Sequence, residues 1–169
     1  MDAQGKTEPT ATKNPTTMER KSERELVTTR VINGPARLVF EAFAKPELFK
    51  QWWVPKAFRA SLVSYEADVR TGGRYRLVFR HGDSEMAFFG KYLEVRPHSH
   101  IVWTNEEGHE GDPVTTLTLE ERGDQTLLVM HELYPTKEAL DAVMASGEKS
   151  GTDEQFDQLD ELLATLSAT

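Results

Sequence analysis

The sequence predicts an α+β domain: a curved antiparallel sheet of about six to seven strands wrapped on a long C-terminal helix, with two short helices after the first strand. Three observations predict it. Five strand-like runs follow one another between Gly73 and Leu133 with only turn signals between them. Connections that short force antiparallel neighbours, so the runs form a meander. An amphipathic segment then closes the chain, with Phe156, Leu159, Leu162, Leu163 and Leu166 on one stripe. A lone sheet must bury one face, and this segment is the substantial apolar partner on offer. A sheet curved around one helix leaves a space between them, and function is sought in that space.

The elements follow in order. Residues 1–23 read as a disordered tail, rich in Thr, Lys, Pro, Glu and Asn and without an apolar period to offset chain entropy. Residues 24–169 read as one domain. Leu26 to Ile32 is β-branched and stops at Asn33-Gly34-Pro35, a turn signal. Leu38, Val39, Ala42 and Phe43 then recur at helical spacing, and Pro35 suits the first helical position, where its missing N–H would be unpaired anyway. A second short helix is expected from Pro46 to Trp53, ended by Pro55.

From Ser61 the period becomes two. Leu62 to Asp68 is a strand ending at Thr71-Gly72-Gly73, and Arg74 to Arg80 sets Tyr75, Leu77 and Phe79 against Arg74, Arg76 and Arg80. Glu85 to Val95, Ile101 to Thr104, Val114 to Glu121 and Thr126 to Leu133 complete the meander, with Arg122-Gly123-Asp124-Gln125 as a tight hairpin turn. Thr136 is a fitting N-cap for a helix from Lys137 to Ala145. Ser146-Gly147 and Gly151 mark a break before the closing helix.

Composition excludes several functions. Twenty basic and twenty-eight acidic residues give a net charge of −8, against a phosphate-backbone partner or an anionic membrane surface. No cysteine is present, which removes disulfides, thiolate catalysis and cysteine metal sites. No apolar run approaches the roughly 20 residues of a membrane helix. The N-terminus lacks the apolar core of a secretion signal, so a cytoplasmic protein is expected. There is no Gly-x-Ser-x-Gly elbow and no phosphate loop, and no cofactor is implied.

Among the chemistry-bearing residues, Trp52-Trp53 divides between plugging the small helices onto the sheet and lining a pocket mouth. Asp68-x-Arg70-x-Gly72-Gly73 reads as a turn whose glycines serve the backbone. His81, His98, His100, His109 and His131 form no metal-ligand spacing. His131 lies on the last strand opposite the closing helix, and alternation puts Glu132 on the other face. Leu127, Val129 and Leu133 share the His131 face, whereas Thr126, Leu128 and Met130 share that of Glu132. The first set is more apolar, so His131 is expected to point inward as a titratable group. The acidic residues from Asp153 to Glu161 lie opposite the leucine stripe and read as a solvated face. The strand from Arg24 to Ile32 reads as an edge at which two chains could pair as a homodimer.

The joints of this pattern resemble the START-like superfamily, also called SRPBCC or the helix-grip (Bet v-like) fold, in the branch named after the activator of the heat-shock-protein-90 ATPase. The resemblance rests on Arg30-x-Ile32, Gly34-Pro35, Val39-Phe40-x-Ala42-Phe43, Pro46-Glu47 and Trp52-Trp53-x-Pro55. It continues through Asp68-x-Arg70-x-Gly72-Gly73-x-Tyr75, Gly90-x-Tyr92-x-Glu94-Val95-x-Pro97 and Ile101-Val102-Trp103, and ends at Ala145-Ser146-Gly147 and Phe156-x-x-Leu159. It spans about Glu25 to Leu166. One departure is the polar run Glu148 to Thr152, where bacterial members of the branch often carry Met or an aromatic residue; a wider or wetter pocket end is expected from it.

What the resemblance implies is a ligand-binding domain for a small hydrophobic or aromatic molecule. From alternation and the helix stripe the expected lining is Tyr75, Phe79, Phe88, Trp103, His131 and Phe156, with Trp53 of the tryptophan pair at the pocket mouth. The superfamily implies two further readings. One is a polyketide-cyclase-like enzyme, for which His131 as base and Tyr75 as hydroxyl donor are the minimal machinery. The other is a co-chaperone that stimulates a chaperone ATPase, an analogy that fold alone does not transfer.

Overall fold

The structure is a computed structural model and describes residues 14–106, 112–147 and 151–167. Its eight described strands form one antiparallel sheet. They are β1 (Thr16–Arg20), β2 (Glu25–Ile32), β3 (Leu62–Ala67), β4 (Arg74–His81), β5 (Ser84–Arg96), β6 (His100–Thr104), β7 (Val114–Arg122) and β8 (Gln125–Leu133). Spatially they run β1-β2-β8-β7-β6-β5-β4-β3. The meander is therefore as the sequence predicts, and the sheet has one strand more.

That strand is β1, inside the segment expected to be a disordered tail. Thr16 pairs with Arg30 and Arg20 with Leu26, so a polar stretch is ordered by backbone bonds to β2 rather than by its own apolar surface. Composition does not register such a strand, because an edge strand needs only an unpaired neighbour. Its presence also corrects the expected edge. β2 lies between β1 and β8, and is not free to pair with a second chain.

Helix α1 (Ala36–Ala44) begins one residue later than expected. Pro35 is its N-cap, with φ −74° and ψ 153°, and its carbonyl accepts from the Leu38 and Val39 N–H groups at 3.0 and 3.1 Å. Helix α2 (Pro46–Trp52) does start on its proline. A 3-10 helix follows at Lys56–Ser61, a stretch with no apolar period to announce it. In α3 (Lys137–Ser146), the Thr136 hydroxyl accepts from the Ala139 N–H at 3.1 Å, and Gly147 ends the helix at φ 77°, in the left-handed region that favours glycine. Residues 148–150, in the polar run expected to widen the pocket, lie outside the described residues.

Two clusters make the core. The larger joins the inner sheet face, through Ile32, Leu77, Ile101, Leu117 and Leu128, to α1 and to Phe156, Leu159 and Leu163 of α4 (Thr152–Ser167). The smaller holds Leu140 of α3 against Leu26 and Tyr134.

The acidic face of α4 is not simply solvated. Arg30 of β2 is fully buried, and its guanidinium reaches Asp153 at 3.2 Å, Asp157 at 2.9 Å and Asp160 at 2.8 Å. Thr16 of β1 joins the cluster, accepting from Arg30 at 2.9 Å and donating to Asp153 at 2.7 Å. Three carboxylates at helical spacing turn one flank of α4 toward a strand residue that helix periodicity alone does not reveal. On the opposite flank, Gln158 donates to the Trp52 and Val54 carbonyls at 2.7 and 3.0 Å. Gln155 donates to the Trp53 carbonyl at 2.6 Å.

Candidate functional site

Beneath the β3–β6 half of the sheet, strand alternation points a set of aromatic side chains toward α1, α2 and α4. They enclose an open-sided cavity of about 540 Å³. Tyr75, Leu77 and Phe79 come from β4, in the alternation that the sequence shows. Phe88 and Tyr92 come from β5, and Ile101 and Trp103 from β6. A register shift between Tyr92 and Glu94 places Tyr92 directly opposite Trp103. Such a bulge bends a strand and re-aims its side chains, here into the hollow. Phe43 of α1 and Phe49 of α2 form the back wall.

The tryptophan pair divides as the spacing of α2 requires. Trp52 is fully buried, and its indole N–H donates to the Ala42 carbonyl at 2.9 Å. Trp53 turns into the cavity and stacks on Phe49, with ring centroids 4.9 Å apart and planes 23° from parallel. The mouth is apolar and wet at once. Phe58 of the 3-10 helix is 58% exposed and Met86 of β5 is 49% exposed, although both belong to the lining. Arg80 and His81 stand at the same end, at the β4–β5 hairpin.

The polar groups of the wall are few. The Tyr75 hydroxyl donates to the Thr104 carbonyl at 2.8 Å, with Asn105 Oδ1 at 3.3 Å. Asn105 is itself fixed by donating to the Pro113 carbonyl at 2.7 Å. The Tyr65 and Tyr92 phenols are neighbours in the wall. Burial pushes Tyr92 up to about 12 and raises Tyr65 as well, so both hydroxyls stay protonated at any working pH. No carboxylate lines the cavity. Among the described residues, no group of three or more His, Asp or Glu side chains is placed to hold a metal. The site can bury an apolar body and offer neutral hydrogen-bond donors to it.

Of the residues expected to line the site, Trp53, Tyr75, Phe79, Phe88 and Trp103 are gathered here. Phe156 is not among them. It is 2% exposed in the core, where the Trp52 ring lies 6.4 Å from its own, behind the wall. His131 points the other way. Thr126, Leu128, Met130 and Glu132 are the buried face of β8, and His131 sits on the outer face with its Nε2 2.8 Å from Glu25 Oε2. Counting apolar residues chose the wrong face, because the inward one carries a threonine that donates to the Gly34 carbonyl at 2.7 Å. The base assigned to a cyclase reading therefore lies outside the cavity, and the Tyr75 hydroxyl assigned to it is bonded to the backbone. The other histidines are dispersed. His98 sits edge-on to Phe40, His100 is 3.3 Å from Glu94, and His109 lies outside the described residues.

The residues that sequence reasoning missed are Tyr65 and Tyr92, with the back-wall phenylalanines. Tyr92 had a signal, since period two carried on from Phe88 through Gly90 reaches it. Tyr65 had less, because β3 shifts register between Leu62 and Ser64.

Comparison with known proteins places this geometry. The family model described as "Activator of Hsp90 ATPase homolog 1-like protein" matches residues 33–164. A crystal structure of a protein from Rhodobacter sphaeroides is similar with a TM-score of 0.81 at 22% identity, covering 90% of this chain and 99% of that one. One from Nitrosomonas europaea has a TM-score of 0.77 at 24% identity, covering 89% and 100%. A third, from Chromobacterium violaceum, has a TM-score of 0.63 at 28% identity, covering 82% and 96%. These likenesses establish the helix-grip fold. No curated protein matches the chain. Among the described residues no helix is long and apolar enough to cross a membrane.

Proposed function

The chain belongs to the family of Activator of Hsp90 ATPase homolog 1-like proteins, and from that premise we propose that it binds a small apolar or aromatic molecule in the cavity beneath β3–β6. One observation carries the reading: an open-sided hollow of about 540 Å³ walled by aromatic rings, with no carboxylate in its lining. Volumes of roughly 300–1,000 Å³, mostly apolar walls and a few placed polar groups are the usual features of small-molecule sites. Exposed Phe58, Met86 and Phe88 at the mouth support it, since large apolar side chains left in water find a use when a ligand covers them.

The test is native mass spectrometry of protein purified from its own cells, with solvent extraction of whatever co-purifies, alongside thermal shifts with a panel of apolar aromatic probes. The expected result is one small molecule per chain, or saturable stabilisation by probes that fit the cavity. A clean apo mass together with no stabilisation by any probe overturns the reading.

A further inference from the structure

The two phenols in the cavity wall leave a countable remainder. Each tyrosine hydroxyl carries one proton to donate. Tyr65 and Tyr92 are neighbours in the wall and can satisfy at most one of the two protons on each other, whichever of them gives it. Tyr92 is 7% exposed, and the cavity lining contains no carboxylate to accept the other proton. The third phenol differs, because Tyr75 already donates to the Thr104 carbonyl. A donor left over in an apolar wall is costly while it stays unpaired, so the wall rewards a ligand that brings an acceptor.

Position along the cavity narrows the class. Arg80 and His81 are at the hairpin end, where Arg80 pairs with Glu85. Tyr92 lies seven residues further along β5 than Glu85, about 23 Å at strand rise. Around Tyr92 the lining is Trp103, Tyr75 and Tyr65, with no cation among them. An ionised group there would lose its hydration without a counter-charge, whereas a neutral acceptor would not.

We propose that the cavity takes a neutral apolar molecule whose inner end carries a carbonyl oxygen, and that the Tyr65–Tyr92 pair donates the hydrogen bond that reads it. This deepens the ligand-binding reading above and rests on it. The pair is a specificity device: it sets which apolar molecules are kept, and moves no proton.

The test uses matched probes of nearly one shape, benzophenone, which has a carbonyl, and diphenylmethane, which has none. Their dissociation constants are measured by calorimetry on the full chain, on Tyr65→Phe/Tyr92→Phe and on Tyr75→Phe. The double variant keeps both rings and removes both protons. The expected result is a loss of about fivefold in benzophenone affinity in the double variant, with diphenylmethane unchanged or tighter. Tyr75→Phe leaves the ratio between the probes as it was. The infrared carbonyl stretch of bound benzophenone lies at lower frequency in the unmodified chain than in the double variant. An unchanged ratio and an unchanged stretch overturn the inference and leave the cavity reading standing. Failure of both probes to bind the unmodified chain, with no stabilisation by any other apolar probe, overturns both. Diphenylmethane binding shows that the double variant is folded.

Discussion

The two halves of the sheet meet the same helix and treat it in opposite ways. Under β1, β2 and β8 the space is closed, with Arg30 sunk against α4 and held by Asp153, Asp157 and Asp160. Under β3 to β6 it is open, and α4 contributes only Gln155 to the lining. A helix that had to pack along its whole length would fill the second half. Here α4 is fixed instead by specific polar bonds on two flanks, Arg30 on one and the Trp52–Val54 carbonyls on the other. Anchoring the helix elsewhere keeps its side chains from filling the cavity. Stability and binding should then separate along the sheet.

The largest effect expected from that separation is at Arg30. Arg30→Met keeps much of the volume but leaves three carboxylates facing one another without their cation. Breaking a buried pair by removing one partner typically costs 3–5 kcal/mol, and the partial exposure of Asp153 and Asp157 puts the expected loss near the lower end, about 3 kcal/mol. Urea unfolding would show it as a lower midpoint at unchanged slope. A midpoint within error of the unmodified chain would mean that the closed half is not what holds α4. Next comes Gln158→Leu, which strands the Trp52 and Val54 carbonyls in a buried setting. It should cost about 2 kcal/mol by the same measurement, since each unsatisfied buried group carries a penalty of about 1–3 kcal/mol.

The open half was more legible in the sequence than the closed half, for a physical reason. Alternation along β4 and β5 reports which side chains share a face, so Tyr75, Phe79 and Phe88 could be assigned from spacing alone. The Arg30 cluster joins residues more than a hundred positions apart, and no local period encodes that distance. β1 escaped for a related reason, because its order derives from β2 and not from its own composition. At β8 the pattern misled. Both faces carry apolar residues, and the tie was broken by hydrophobicity where hydrogen bonding decided, with Thr126 turned in to reach Gly34. Phe156 was placed on the right stripe of the helix, but Trp52 stands on that side of it.

A smaller effect, confined to the open half, is expected at Trp53. Its indole covers one wall and stacks on Phe49, while its partner Trp52 carries the burial. Trp53→Ala should weaken binding of an apolar aromatic probe about tenfold, the loss of one stacked contact of about 0.5–1.5 kcal/mol together with some buried area. A fluorescence or calorimetric titration reads it. The comparison sharpens if the urea midpoint falls by clearly less than in Arg30→Met, and it breaks if the two variants trade places, with binding lost at Arg30 and stability at Trp53.

The smallest effect is expected at His131, and it separates the two faces of one strand. The side chain sits outside, paired with Glu25, so neither the cavity nor the α4 anchor depends on it. The hydrogen bond from His131 is the main cause that holds the Glu25 carboxyl below its usual range, with one from Ser22 next. A carboxyl lowered by folding stabilises the native state above its unfolded pKa, and that contribution disappears as pH falls through the lowered folded value. His131→Ala should therefore shift the melting temperature by no more than about 2 °C at neutral pH and leave probe affinity unchanged. What little difference there is should vanish on acidification, as Glu25 protonates in both chains. A His131→Ala variant that lost probe binding with its melting temperature intact would put the imidazole back in the cavity. It would reverse the assignment of the faces of β8, and with it the division between an anchored half and an open one.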